Sequence, residues 1–213
     1  MQGKNWLKTA GAFIGLFSIL TACQEEIPLP LNVDPSEITL NQIHSWQIQY
    51  TGDLDLDPEV DLINLDLFDT PSEIIKELQK RGVFVVCYFS AGSFEDWRPD
   101  ADQYPGGILG KELDNWPGER WIDIRQIDVL SPIIDKRFDL AFQKGCDGID
   151  PDNLDGFEND TGFYLTGADQ LAFNTYLSRA AHSRGLTIGL KNDLNQIPAL
   201  VEYFDWIVNE ECF

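Results

Sequence analysis

Histidine is almost missing from this sequence: His44 and His182 are the only two in 213 residues. No pair among the four cysteines has C-x-x-C spacing, so no zinc or other metal site is expected. Basic residues are scarce as well, 15 against 36 acidic, for a formal charge of −21. Nucleic-acid binding needs a basic surface facing the phosphates, and that class is set aside. A strongly acidic surface instead concentrates cationic ligands, or serves only solubility. Neither G-x-G-x-x-G nor G-x-x-x-x-G-K-[ST] occurs, which removes the best support for a nucleotide-binding fold. What is present is a hydrophobic fraction of 43% with 12% aromatics, enough for a real core.

The apolar stretch from Ala10 to Leu20 is too short for an ordinary membrane span and follows two lysines, Lys4 and Lys8. It ends in Leu20-Thr21-Ala22-Cys23, which resembles the lipobox of bacterial lipoproteins. That resemblance implies cleavage before Cys23, lipidation of its thiol, and an exported protein anchored at the outer membrane or cell surface. Residues 1–22 are then a signal peptide, residues 23–42 a Pro-containing tether and residues 43–213 the folded domain. Export permits disulfides, and Cys87, Cys146 and Cys212 allow one bridge in three ways.

The folded part alternates strands and helices. Thr70-Pro71-Ser72-Glu73 reads as a capping box opening a helix that stops at Gly82. Val83 to Phe89 is a continuous apolar run of the kind a buried parallel strand shows. Further helices are expected from Asp128 to Lys144 and from Asp169 to Arg184, closed by Gly145 and Gly185. Strands are expected at Trp46–Tyr50, Leu62–Phe68, Cys146–Asp152, Leu186–Lys191 and Phe204–Glu210, with a short extra one at Trp121–Ile124. Acids and polar groups collect at the C-terminal ends of these strands, as in a barrel of the TIM type. Such a barrel has eight strands in roughly 250 residues. The chain therefore reads as α/β, a (β/α)8 TIM-barrel type truncated after strand six, with an open six-stranded sheet as the alternative.

The densest cluster of acids is Asp150-Pro151-Asp152-Asn153-Leu154-Asp155-Gly156. Side chains alternate along a strand, so Asp150 and Asp152 share one side, where their repulsion raises one pKa. A calcium loop is disfavoured because Asp155 falls one residue late and Thr161 would stand where a bidentate acid belongs. The last expected strand ends in a second pair of acids, Glu210 and Glu211, with Glu210 in phase with Trp206 and Val208.

Six ordered motifs carry a further resemblance: Trp46–Tyr50, Asp66–Asp69, Cys87–Ser93, Gly145–Gly156, Gly189–Asn192 and Asn209–Phe213. Together they resemble glycoside hydrolase family 114, the endo-α-1,4-polygalactosaminidases. The resemblance implies a monomeric TIM-barrel hydrolase without a cofactor, acting on a cationic galactosamine-containing polysaccharide. By analogy with barrel enzymes acting on α-galactosides it implies Asp152 as nucleophile and Glu210 as acid/base, with Asp150 and Glu211 as fallbacks. Asp66, Tyr88, Asn153 and Lys191 would line the nearest subsites. Trp97 and Trp116, in the long connection after strand three, are candidates to stack on sugar rings, with packing of that loop as the alternative. A non-catalytic, carbohydrate-binding or vestigial lipoprotein is the competing expectation.

Overall fold

The computed structural model describes residues 40–210. Cys23, Glu211 and Cys212, the signal segment and most of the tether lie outside the described residues. Six strands form one parallel sheet: β1 (Trp46–Gln49), β2 (Leu62–Asp66), β3 (Phe84–Ser90), β7 (Gly148–Asp152), β8 (Thr187–Lys191) and β9 (Trp206–Val208), neighbours in that order. Every pairing between them is parallel. The sheet curls into a half-barrel of the TIM type, with helices α1 (Ser72–Lys80), α2 (Ile127–Lys144), α3 (Gly167–His182) and the short α4 (Ile197–Leu200) in the crossovers. The long connection after β3 holds a separate antiparallel sheet of β4 (Ser93–Glu95), β6 (Glu119–Ile122) and β5 (Leu109–Glu112), with β6 in the middle.

Alternation along the strands sorts the side chains into two layers. Ile63, Leu65, Val85, Cys87, Phe89, Ile149, Ile188 and Leu190 belong to one buried hydrophobic core with Ile75, Leu78, Phe138 and Leu177 of the helices. The opposite phase carries Asn64, Tyr88, Asp150, Asp152 and Lys191 in register across neighbouring strands. Gly148 and Gly189 lie in that phase because Trp206 covers them. A Cβ on Gly189 would lie 2.3 Å from the Trp206 indole nitrogen. The glycines expected to close three helices, Gly82, Gly145 and Gly185, are all left-handed, although α3 itself ends at His182, two residues before the expected Arg184.

Several boundaries differ from the sequence expectations. Thr70 does not cap α1: the boundary residue is Pro71, with no side-chain cap. Thr70 is buried, its N–H donating to Asp66 O and its carbonyl accepting from Lys144 Nζ at 2.8 Å. The capping box belongs to α3 instead, where Thr166 and Asp169 satisfy each other's backbone amides. The short extra strand is Glu119–Ile122, two residues earlier than expected, because β4 pairs with it through Glu95–Glu119. The last strand stops at Val208, so Glu210 stands just beyond it.

Of the three possible bridges, Cys87–Cys146 forms, with Cα atoms 6.0 Å apart and a sequence separation of 59. It ties β3 to the entry of β7. A loop of that length restricts the unfolded chain, and reduction is expected to cost about 2–4 kcal/mol. Urea unfolding with and without reductant measures this; coincident midpoints would remove the bridge from the stability account.

The turn after β8 carries a pH-dependent contribution. Asp193 is buried with positive φ and accepts from Asn174 Nδ2 at 2.8 Å. Burial pushes its carboxyl up to about 7, against the Asn174 hydrogen bond and helped by Glu158 and Asp155. The folded chain thus keeps a proton that the unfolded chain loses at an ordinary 3.8. Stability from this site is therefore expected to fall as pH rises from about 4 to about 7. Asp193→Asn, which tolerates positive φ, should flatten that part of the melting-temperature profile. Equal slopes for both proteins would contradict the assignment.

Candidate active site

The C-terminal ends of β7, β8 and β9 bring three charged groups together. Lys191 Nζ lies 3.1 Å from Asp152 Oδ1 and 3.4 Å from Glu210 Oε1. Burial works against the lysine's charge, but Asp152, Asp150 and Glu210 outweigh it and hold its pKa above the ordinary value. Asp152 is half-buried, and its second oxygen accepts from the Tyr88 hydroxyl at 3.0 Å. Glu210 has 62% of its side chain exposed at the rim. Asn192 Oδ1 accepts from its backbone N–H at 2.9 Å. The side chains predicted as nucleophile, acid/base and subsite lysine thus meet in one place.

Asp150 lies deeper. Its Oδ2 accepts from Asn64 Nδ2 at 2.6 Å and from the Tyr50 hydroxyl at 3.3 Å, while Oδ1 has no hydrogen-bond partner among the described residues. Burial, opposed by Lys191 and reinforced by Asp152, holds this carboxyl above the ordinary range. Of the two strand-end acids, Asp150 is fully buried and Asp152 reaches the surface. Tyr50 and Tyr88 stack with ring centroids 4.2 Å apart, joining the two carboxyl environments. Burial first, and the neighbouring aspartates next, push both phenols far up, so both remain protonated donors.

Two expected subsite residues are engaged elsewhere. Asp66 is buried, bonded to Arg98 Nη1 at 2.8 Å and to the backbone amides of Phe68 and Asp69. Its lone pairs shape the turn after β2 instead of facing a substrate amine. Asn153 turns away from the mouth. Its Nδ2 donates to Ser90 Oγ at 2.8 Å and Glu119 Oε1 at 3.1 Å, while its backbone N–H donates to Asp152 Oδ1 at 2.8 Å. This geometry uses positive φ at Asn153 and close contact with Gly92, where a Cβ would fall 1.8 Å from the Asn153 carbonyl oxygen. Asn153 thereby clamps the Asp152 carboxylate.

Sequence reasoning did not single out Tyr50, Asn64, Ser93 or Glu119. Ser93 Oγ donates to Glu119, whose carboxyl is raised by burial, against the Ser93 hydrogen bond and with Glu95 and Asp152 adding to the rise. These partners stand 26 to 100 positions apart in sequence, and no local spacing signals them. Trp97 and Trp116 are 50% and 60% exposed. Among the described residues no group of three or more His, Cys, Asp or Glu is placed to hold a metal ion.

Two carboxylates that share a lysine at the C-terminal mouth of a curled parallel sheet fit the two-carboxylate chemistry of a glycoside hydrolase of the TIM-barrel type. The chain belongs to glycoside-hydrolase family GH114, whose family model matches residues 30–213. It is similar to Aspergillus fumigatus Ega3, solved in complex with galactosamine: 45% identity, TM-score 0.76, covering 79% of this chain and 67% of that one. The glycoside hydrolase domain of PelA from Pseudomonas aeruginosa shares the fold at 17% identity and TM-score 0.65, with 79% and 67% covered. Eubacterium rectale Amy13B shares it more distantly, at 11% identity and TM-score 0.54, over 71% of this chain and 41% of that one. The chain thus spans about two thirds of the length of the first two. No curated protein matches.

Proposed function

We propose that this protein hydrolyses an α-1,4-linked, galactosamine-containing cationic polysaccharide by a two-carboxylate mechanism, from an exported, monomeric form anchored through lipidated Cys23. The observation that carries the proposal is the shared lysine. Because Asp152 Oδ1 and Glu210 Oε1 both contact Lys191 Nζ, they cannot be farther apart than those two distances end to end. That bound, about 6.5 Å, sits at the lower edge of the inverting range and leaves room for the retaining separation of about 5–5.5 Å. In the retaining sequence Glu210 gives its proton to the departing glycosidic oxygen while Asp152 Oδ attacks the anomeric carbon. Water then attacks the glycosyl ester, losing a proton to Glu210, and Asp152 leaves as carboxylate.

Asp152 stays ready because Lys191 and the Tyr88 hydroxyl solvate it in a partly dry site. The substrate class is supported by the family, by the galactosamine in the similar Ega3 structure, and by the net charge of −21, which attracts an ammonium-bearing polymer. Product analysis on deacetylated galactosamine polymer tests the proposal. Short oligosaccharides whose new reducing ends first carry the α configuration are expected. No cleavage would end the substrate reading, and an initial β product would end the retaining one.

A further inference from the structure

We propose that the cleft between Trp116 and Trp121 is a second binding site for the same polymer, taking a protonated amino-sugar unit away from the cut. This rests on the galactosamine-polymer reading of the active site. The cleft measures about 360 Å³, within the size range of small-ligand sites. Glu112, Asp114 and Asp160 also line it. Its one cation, Lys111, is bonded to Asp160, so Glu112 and Asp114 leave the wall net negative.

The position of the cleft joins it to the reaction centre. Trp121 belongs to β6, whose Glu119 bonds Asn153 beside the nucleophile. A Trp121 ring carbon lies 3.5 Å from where a Cβ of Gly156 would stand. Gly156 is four residues from Asp152, a span that a chain covers in at most about 14 Å. Asp160, which also lines the cleft, follows in the same segment.

Trp116 is 60% exposed, yet its turn is fixed. Its N–H donates to Leu113 O and its carbonyl accepts from Glu119 N. Asn115 and Gly118 take positive φ to close the turn, and Gly118 lies against the Asp96 carboxylate. An indole held open on a rigid turn loses little freedom when a ring stacks on it. A 2-amino sugar matches both features, since its C–H face stacks on indole while its ammonium meets the carboxylates or the indole face. An N-acetylated unit keeps only the stacking.

Affinity electrophoresis of the full chain through gels containing soluble galactosamine polymer tests the site without requiring catalysis. Deacetylated polymer is expected to retard the protein. Trp116→Ala should weaken that retardation about tenfold, at unchanged melting temperature. Asp114→Asn should weaken it by a smaller factor on deacetylated polymer and not at all on acetylated polymer. Unretarded wild-type protein, or a Trp116→Ala form as strongly retarded as wild type, overturns the site. Equal loss for Asp114→Asn on both polymers overturns its recognition of the amine. Hydrolysis by the wild type, measured in parallel, reports separately on the active-site reading: cleavage with intact Trp116→Ala binding would sink this site alone.

Discussion

Asp152→Asn is expected to abolish hydrolysis, and Glu210→Gln to reduce it by about 10²–10⁴-fold, the usual worth of general acid–base catalysis. The asymmetry follows from the roles. An amide at position 152 cannot form the glycosyl ester, so the covalent route is closed. An amide at position 210 removes only proton transfer, which a substrate with a better leaving group needs less. An activated aryl glycoside should therefore recover much of the Glu210→Gln loss and none of the Asp152→Asn loss. Both substitutions keep side-chain shape, and the contact of Lys191 with the unchanged partner persists in each. Polymer binding is expected to survive. Asp150→Asn discriminates further. Asp150 touches Asn64 and Tyr50 and is fully buried, so its removal should act through those partners and cost less than Asp152→Asn. If Asp150→Asn is dead while Asp152→Asn stays active, the nucleophile is Asp150 and the assignment made here is wrong.

Periodic features were legible and partnerships were not. The apolar run Val83–Phe89 announces a strand covered on both faces, and six of its seven residues are buried. Gly82, Gly145 and Gly185 announce helix ends because few other residues tolerate the backbone there. Alternation places Asp150 and Asp152 on one side, where Lys191 of β8 reaches Asp152. Asp66 shows the limit. A strand-end acid facing a sugar and a strand-end acid facing Arg98 look identical until Arg98, 32 positions later, is folded against it. The same holds for Thr70: its spacing to Glu73 satisfies the capping pattern, but Lys144 arrives from α2 to bind the carbonyls of that turn. The Cys87–Cys146 pairing became clear only once β3 and β7 were neighbours.

Arg137→Ala is expected to destabilise the fold by about 3–5 kcal/mol, the cost of breaking a buried ion pair from one side. Arg137 is 1% exposed in the middle of α2. Its Nε and Nη2 each donate to the Asp100 carboxylate at 2.8 Å, and Nη1 donates to the Ser90 carbonyl, also at 2.8 Å. Phe68, Phe89 and Tyr104 surround the guanidinium with ring centroids 5.2 to 5.7 Å away. Alanine leaves a cavity among those rings, an Asp100 carboxylate with little water, and a carbonyl at the end of β3 without its donor. Lysine is not a conservative replacement, because a point charge cannot supply the forked pair and the third bond together. The loss should also reach the candidate site. Ser90 holds Asn153, and Asn153 holds Asp152, so a shifted Ser90 loosens the Asp152 carboxylate. Urea unfolding measures the first effect, and kcat at unchanged KM, taken below the unfolding transition, measures the second. The double variant Arg137→Met with Asp100→Leu removes both charges and should regain most of the stability. If Arg137→Ala alone costs less than about 1 kcal/mol, the ion pair is not what fixes α2 against the end of β3.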